Sequence, residues 1–259
     1  MSVLLYEKRG RIAFITLNRP ERLNTLNASM LDALIEAWRD FKSDPELWVA
    51  VLTGTGERAF CAGLELREYQ EHDLPTKLLT LWQETAQGTL DMRLSAWKPV
   101  IAAVNGAARA GGVSISLYGD VRIASTTATF GYPEVVNGIP PAVATILLPR
   151  VVGHSAATKL LLTGDAIDAN EAHRIGLVHE VVAPDQLQAR AVELAEKLTT
   201  SAPLAIWATK QQLIRGAETT LHEGLRLTRA LGEEIHRTQD FEEGRQAFLE
   251  RRKPVYRGV

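Results

Sequence analysis

The chain has 259 residues, of which 46% are hydrophobic and 23% are charged, and its formal net charge is −2. A chain of this length and composition buries a large apolar core, which excludes an intrinsically disordered protein. The 29 basic and 31 acidic residues nearly balance. They leave no positive surplus to neutralise phosphates, so we expect no nucleic-acid partner.

Residues 135–149 form the longest stretch without Asp, Glu, Lys or Arg, and prolines interrupt it. A membrane-spanning helix needs about 20 apolar residues, so we expect no membrane partner. The apolar run before Glu7 is too short for the core of a signal peptide. Cys61 is the single cysteine, which fits a reducing compartment, and we expect a cytoplasmic protein. The histidines form no HExxH pattern, so we expect no metal site.

Short apolar runs alternate with helical periodicity along the first two-thirds of the chain. The predicted strands lie at 4–7, 12–17, 48–52, 99–104, 121–124, 129–130 and 177–182. The predicted helices begin with one capped by Ser29 and continue at 75–97, 111–118, 184–199, 204–215, 219–237 and 240–251. This order predicts an α/β fold with parallel strands and a helical C-terminal region. The last four predicted helices are more than a single compact core needs to cover it, so we expect some of them to pack on another subunit.

Two glycine segments, Gly63-Leu64 and Gly111-Gly112, stand where predicted strands end. A glycine permits a tight turn that leaves the next amide N–H facing outward, and the first amides of a helix have no partner within it. Two such N–H groups meeting at one carbonyl oxygen would form an oxyanion hole. The same glycines also suit close backbone packing, and the pattern leaves both interpretations open.

A third segment places Glu134 after a proline turn and next to Val135 and Val136. Burial there would raise the pKa of the carboxyl group toward that of a general base. A lone glutamate is more often a solvated loop residue. The residues alone therefore indicate an α/β enzyme with a candidate oxyanion site.

Six segments, taken in order, resemble the enoyl-CoA hydratase/isomerase (crotonase) superfamily. They are 15–27, 60–66, 98–106, 110–112, 162–178 and 243–248. No single segment is decisive, but together they cover essentially the whole chain in the family's order.

The resemblance implies a crotonase (ClpP-like) spiral of ββα units. It places the core with the acyl-CoA site at 1–200 and an α-helical region for oligomerisation at 201–259. Family members form homotrimers, often paired as dimers of trimers. They act on acyl-CoA thioesters, so coenzyme A enters as part of the substrate and we expect no separate cofactor.

The resemblance also assigns site residues. The amides of Leu64 and Gly111 match the pair that holds the thioester oxygen, and Glu134 matches a catalytic glutamate. The remaining positions that match substrate-binding ones are Glu65, Leu66, Arg67, Ser114, Phe248 and Arg251. Of these, 65–67 would border the CoA moiety. Phe248 and Arg251 match positions that reach CoA from a neighbouring subunit, although a solvated basic run also explains Arg251.

Hydratases of this family use two glutamates to activate water, and the earlier one falls on Ser114. A serine hydroxyl cannot act as a carboxylate base near neutral pH. One carboxylate suffices for an isomerase, which removes a proton from C2 and returns it at C4. We therefore expect an enoyl-CoA isomerase, with a hydratase as the alternative and hydrolysis or decarboxylation behind both. Glu65 could supply a second acid, but its family counterpart is usually structural.

Three other interpretations remain weaker. Gly54-Thr55-Gly56 resembles a dinucleotide-binding turn, but the chain runs on into another turn and not into a helix. A serine hydrolase with Ser114 as nucleophile would need glycine at Ser116. A non-catalytic or RNA-binding member of the same fold stays open, although the near-neutral charge disfavours RNA.

Overall fold

The computed structural model describes residues 2–68, 74, 76–77 and 97–259. Its strands are β1 (Leu4–Arg9), β2 (Ile12–Leu17), β3 (Val49–Gly54), β4 (Ala59–Cys61), β5 (Val100–Val104), β6 (Ala107–Arg109), β7 (Val121–Ser125), β8 (Thr129–Gly131), β9 (Ile167–Asp168) and β10 (Glu180–Val182). Within the described residues they form a large sheet, ordered β1-β2-β3-β5-β7-β10, and a small one, ordered β4-β6-β8-β9.

The α-helices confirm most of the predicted ones. They are α1 (Ala28–Ser43), α2 (Gly111–Ser116), α3 (Ala144–Val152), α4 (His154–Thr163), α5 (Ala169–Arg174), α6 (Leu187–Thr199), α7 (Pro203–Gly216), α8 (Leu221–Ile235) and α9 (Gln239–Glu250). Short 3-10 helices lie at Pro20–Arg22, Pro133–Asn137 and Pro184–Gln186. The predicted helix at 75–97 falls almost entirely outside the described residues.

One pattern of paired strands repeats through the core. β3, β5 and β7 lie side by side and parallel in the large sheet. Each is followed along the chain by a strand of the small sheet, and β4, β6 and β8 are also neighbours and parallel. Antiparallel pairing occurs at β1–β2 and β8–β9. The repeat confirms the predicted α/β spiral of ββα units.

The central strands β3 and β5 of the large sheet are buried on both faces. On β3, Ala50 and Leu52 point into the main core, whereas Val49 and Val51 pack with Leu187 of α6 on the opposite face. Alternation of successive side chains between two faces is the geometry of a strand. Burial of both faces explains why this strand reads as a continuous apolar run.

Helix α1 begins at a different cap from the predicted one. The side chain of Asn27 accepts a hydrogen bond from the amide of Met30 at 3.0 Å, so the prediction of Ser29 as N-cap was wrong. The reason is tertiary, because Leu26 pairs with Leu64 in a parallel bridge immediately before the helix. The chain turns into the helix directly after that bridge, and Asn27 is the residue at the turn.

The C-terminal helices differ in how they join the core. Lys210 of α7 donates to Asp120 at 2.7 Å and to the carbonyl of Lys98 at 3.0 Å, and these bonds anchor α7 to the sheet. Helix α8 has no buried residue, and Phe248 near the end of α9 is 83% exposed. The division between 1–200 and 201–259 and the homotrimer or dimer of trimers stay predictions.

Candidate active site

The three predicted site segments follow three neighbouring strands of the small sheet. β4 leads to Gly63, β6 to Gly111 and β8 to Glu134, and the three strands are parallel. Carboxyl ends of parallel strands meet at one edge of a sheet, where α/β proteins place their ligands. The amide of Ala110 also donates to the carbonyl of Gly131 at 2.9 Å. The fold therefore brings the three segments together.

The turn at Gly63 frees one amide. Gly63 has a φ of +90°, and a Cβ there would lie 3.0 Å from the Ala110 Cβ, so both conformation and space favour glycine. The amide of Leu26 donates to Gly63 O at 2.8 Å, and the amide of Glu65 donates to Leu26 O at 3.0 Å. In this parallel bridge the intervening residue, Leu64, directs its N–H away from its partner. Among the described residues, the Leu64 N–H has no acceptor.

The start of α2 supplies the second amide. Gly111 is the first helical residue, so its N–H has no acceptor within the helix. Gly112 has a packing role, because a Cβ there would collide with the carbonyl of Cys61. Ala110, just before the helix, has a φ of +51°, a strained conformation that costs a non-glycine residue about 1–3 kcal/mol. Gly112 is therefore required for close packing, whereas Gly111 supplies an amide with no acceptor within the helix.

The amides of Leu64 and Gly111 border the same small space. A Cβ built on Gly111 would lie 4.0 Å from the Leu64 nitrogen, and one built on Gly63 would lie 3.5 Å from the Gly111 nitrogen. Two amides without a local acceptor that lie this close together are the kind of donor set from which an oxyanion hole is built. This arrangement can stabilise an oxyanion.

Glu134 lies in the first turn of the 3-10 helix Pro133–Asn137. Its Oε2 atom is buried and has no hydrogen-bond partner among the described residues. Burial raises the pKa of this carboxyl group above its ordinary value, and the residue's own backbone amide partly offsets that rise. A desolvated carboxylate with an unused oxygen accepts a proton more readily than a solvated one.

Ser114 and Tyr132 place two hydroxyl groups near these elements. Ser114 is 6% exposed and Tyr132 is 1% exposed, and their hydroxyl oxygens are 3.5 Å apart. Ser114 lies three residues after Gly111 on α2, and Tyr132 lies two residues before Glu134. Ser114 was predicted to bind substrate. Tyr132 was not singled out, since its sequence signal is only its place between Gly131 and the proline turn.

The segment after Leu64 shows where the other predicted contacts lie. Glu65 accepts from the Thr25 hydroxyl at 3.1 Å and lies 3.8 Å from the Arg19 guanidinium, so its carboxylate is engaged in the local fold. Leu66 is 62% exposed, and Arg67 is also exposed. The backbone of 65–67 follows Leu64 directly in sequence. Contact of 65–67 with CoA stays a prediction.

The other predicted residues lie at the end of α9. Phe248 is exposed, and Arg251 caps the helix in the left-handed conformation with a φ of +56°. Their predicted contact with CoA from a neighbouring subunit stays a prediction. Cys61 is fully buried, and burial raises the pKa of its thiol to about 12. An un-ionised buried thiol is unreactive, as expected for a small core residue.

The described part of the chain contains neither a candidate metal site nor a candidate membrane-spanning helix. No group of three His, Cys, Asp or Glu side chains is arranged there to hold a metal ion. No helix there is both long enough and apolar enough to cross a membrane. The absence of a metal and of a separate cofactor stays a prediction.

Comparison with known proteins identifies the family. Residues 7–259 match the enoyl-CoA hydratase/isomerase family. The chain is 40% identical to (E)-benzylidenesuccinyl-CoA hydratase of Thauera aromatica over 98% of each chain. It is 39% identical to 2,3-dehydroadipyl-CoA hydratase of Escherichia coli (strain K12) over 100% of both chains. A crystal structure of enoyl-CoA hydratase from Bacillus anthracis matches with a TM-score of 0.92 at 35% identity, covering 99% of this chain and 100% of that one. The protein therefore belongs to the enoyl-CoA hydratase/isomerase family of the crotonase superfamily and is an enzyme of that family.

Proposed function

We propose that the protein is an enoyl-CoA isomerase in which Glu134 moves one proton along the acyl chain of a CoA thioester. Glu134 takes a proton from C2 of a 3-enoyl-CoA, and the electron pair of the broken C–H bond passes into a dienolate. The negative charge gathers on the thioester oxygen. Glu134 then returns the proton to C4, the double bond forms between C2 and C3, and the carboxylate is regenerated.

The buried, partnerless Oε2 of Glu134 is the observation that carries this proposal. A carboxylate held for structure would be paired, as buried polar groups usually are. This one has an oxygen available and a raised pKa, which suits a group that takes up and releases a proton.

The amides of Leu64 and Gly111 support the same step. Their N–H groups would donate to the thioester oxygen and stabilise the dienolate more strongly than the neutral thioester. Removal of one donor of this kind typically costs about 3–4 kcal/mol of transition-state stabilisation.

The residue one turn into α2 favours isomerisation over hydration. Ser114 offers a hydroxyl where the resemblance places the second carboxylate of a hydratase, and it cannot act as a base near neutral pH. The other acid close in sequence, Glu65, is engaged with Arg19 and Thr25. Among the described residues of these segments, Glu134 is thus the carboxylate left for proton transfer.

Hydration of a 2-enoyl-CoA is the second candidate. It is favoured by the names of the relatives, since the Thauera aromatica and Escherichia coli proteins are both named hydratases. Both reactions need an acyl-CoA thioester, the two amides and Glu134, and they differ in whether water adds at C3.

The two reactions can be compared directly with the purified protein. One assay follows conversion of a 3-enoyl-CoA to the 2-enoyl isomer, and the other follows hydration of crotonyl-CoA. We expect isomerisation to have the higher kcat/KM. Faster hydration would overturn the isomerase proposal and establish the hydratase.

A further inference from the structure

Two consecutive residues of the β2–α1 loop (residues 18–27) have a strained backbone. Leu23 has a φ of +52° and Asn24 has a φ of +53°, both in the left-handed region. Asparagine tolerates that region better than most residues, whereas leucine adopts it rarely. Such strain persists only where surrounding contacts hold it, and it concentrates at functional sites. The contacts that hold this loop therefore bear on its role.

The side chain of Asn24 supplies three of these contacts, and it is fully buried. Its Oδ1 accepts from the Arg19 amide at 2.9 Å. Its Nδ2 donates to the carbonyls of Thr55 at 3.0 Å and Ala59 at 2.9 Å. One N–H donor and two carbonyl acceptors match a carboxamide, in which the oxygen accepts and the nitrogen donates twice. Asn24 thus joins the β2–α1 loop to the turn between β3 and β4.

That turn contains Gly54-Thr55-Gly56, the segment that resembles a dinucleotide-binding turn. A Cβ built on Gly54 would lie 2.5 Å from the Phe60 carbonyl oxygen and 2.8 Å from Asn24 Nδ2. The chain itself therefore fills the space beside this glycine, and Gly54 permits close packing against Asn24. The turn leads directly into β4, which is the strand before the Leu64 amide.

The β2–α1 loop also contacts the segment that exposes the Leu64 amide. Leu23, directly before Asn24, accepts at its carbonyl from the Ala62 amide at 3.0 Å. Leu26, two residues after Asn24, forms the parallel bridge with Leu64. The loop thus holds this segment on both sides of Asn24. The direction of the Leu64 N–H consequently depends on where the loop lies.

We propose that Asn24 is a positioning residue for the oxyanion site. Its three hydrogen bonds hold the strained β2–α1 loop on the β3–β4 turn, and the loop in turn aims the Leu64 amide at the thioester oxygen. Asn24 acts through the backbone, since its side chain is buried and bonds to the chain itself. This inference rests on the proposed oxyanion amides, and it holds whether isomerisation or hydration is the natural reaction.

Two variants, Asn24→Asp and Asn24→Gly, remove these contacts in different ways. Aspartate keeps an acceptor for the Arg19 amide but loses both donors and brings a carboxylate against two carbonyl oxygens. Glycine loses all three hydrogen bonds, yet it adopts a positive φ without strain. The glycine variant therefore keeps the test valid if the buried carboxylate of Asn24→Asp prevents folding.

Asn105 offers a matched control on the same turn. Its Oδ1 accepts from the Gly54 amide at 3.1 Å. Its Nδ2 donates to the carbonyls of Gly56 at 2.6 Å and Ala59 at 3.2 Å. In the described part of the chain, none of its hydrogen bonds reaches the β2–α1 loop. Asn105→Asp and Asn105→Gly therefore weaken the turn without releasing the loop.

The experiment compares catalysis, carbonyl polarisation and stability in the four variants and the wild-type protein. We would measure kcat and KM with a 3-enoyl-CoA or crotonyl-CoA, whichever the wild-type protein converts faster. Infrared spectroscopy would give the carbonyl stretching frequency of bound butyryl-CoA, and urea denaturation would give the stability.

We expect kcat to be about 10²-fold lower in the Asn24 variants than in the Asn105 variants, the usual effect of misplacing a catalytic group by about 1 Å. KM should be the same in all four, because the amides stabilise the enolate more strongly than the neutral thioester. The wild-type protein and the Asn105 variants should lower the carbonyl frequency of the bound thioester, and the Asn24 variants should lower it less.

Equal losses of kcat in the Asn24 and Asn105 variants would show a general role in stability and overturn the proposal. Asn24 variants with the wild-type kcat or the wild-type carbonyl frequency would also overturn it. Failure of the proposed function would differ, because faster hydration refutes the isomerase and leaves the comparison of Asn24 with Asn105 readable. A wild-type protein that does not change the carbonyl frequency would refute the oxyanion site and the role of Asn24 with it.

Discussion

Glu65 and Glu134 are both glutamates that follow a strand of the small sheet, but their surroundings differ. Glu65 accepts from Thr25 and faces the Arg19 guanidinium, while its amide holds the bridge to Leu26. The Oε2 atom of Glu134 is buried with no partner among the described residues. The first carboxylate stabilises the turn that positions the Leu64 amide. The carboxylate of Glu134 lowers the stability of the fold, because it is buried without a partner, and its Oε2 atom is available to a substrate.

The comparison shows that the function of a carboxylate is indicated by its hydrogen-bond and charge partners and not by its residue type. A paired carboxylate is stabilised in its ionised form, whereas a desolvated one without a partner is poised to accept a proton. Perturbed carboxylates of the second kind concentrate at catalytic sites. The following predictions test whether Glu65 has a structural role and Glu134 a role in proton transfer.

The largest effect is expected from Glu134→Gln, with Glu65→Gln as the matched control. The amide cannot accept the proton from C2, so turnover should fall by about 10²–10⁴-fold, the usual contribution of a general base. Binding of an acyl-CoA thioester should persist, because the oxyanion amides remain. Calorimetric titration and the isomerisation assay together measure this. Equal activity losses in the two variants would remove the distinction between the glutamates.

Gly111→Ala should produce the next largest effect. The added Cβ would have ordinary contacts, 3.5 Å from Leu26 Cδ1 and 4.0 Å from the Leu64 nitrogen, so the fold is expected to tolerate it. It would occupy space beside the two donors, and we expect kcat/KM to fall by about 10²-fold. The control is Gly216→Ala on α7, where a Cβ meets nothing within 4 Å. A fully active Gly111→Ala would place the oxyanion site elsewhere.

The pH dependence should report the raised pKa of Glu134. The carboxylate must be ionised to accept a proton, so the rate falls as pH decreases through its pKa. Because burial raises that pKa, the acid limb of kcat should have its midpoint above the 4.5 of an unperturbed glutamate. A midpoint at or below 4.5 would show that Glu134 is solvated or is not the base.

The same shift has a consequence for stability. A carboxyl group with a raised pKa in the folded state destabilises the fold once the pH exceeds its unfolded pKa, because the folded environment disfavours ionisation. Glu134→Gln should therefore melt at or above the wild-type temperature at pH 7, and the difference should vanish in acid. A clear loss of stability at pH 7 would indicate a missing structural partner.

The smallest effect is expected from Glu65→Gln on stability. Loss of the charge weakens the contacts with Thr25 and Arg19, and we expect a decrease of about 1 kcal/mol in the free energy of unfolding. Urea denaturation measures it. If Glu65→Gln instead stabilised the fold, Glu65 would resemble Glu134 and the comparison would fail.

Much of the fold follows from local patterns. The apolar run at 48–52 predicted β3, and the helical spacing between Ser29 and Asp44 predicted α1. The helical patterns beyond residue 184 predicted the four C-terminal helices α6 to α9. The two-residue strand β9 was not predicted, because two residues give no measurable alternation. The cap of α1 was misplaced because the bridge between Leu26 and Leu64, remote in sequence, decides where the helix starts.

The candidate site could be predicted only in part. Gly63, Gly111 and Glu134 carry signals in glycine spacing, in a proline turn and in the family resemblance. The strained φ of Ala110 and the separation of the Ser114 and Tyr132 hydroxyls have no such signal, since tertiary packing determines both. Likewise, the sequence could not show that Gly112 is required for packing against Cys61, whereas a Cβ at Gly111 would have only ordinary contacts.

Hydrogen exchange at C2 of a saturated acyl-CoA in heavy water tests the central claim most directly. Such a thioester can neither isomerise nor add water, so exchange reports enolate formation by Glu134 and the two amides whichever reaction is natural. The account predicts that the wild-type protein and Glu65→Gln catalyse the exchange, observed by NMR, and that Glu134→Gln does not. Exchange by Glu134→Gln at the wild-type rate would contradict it.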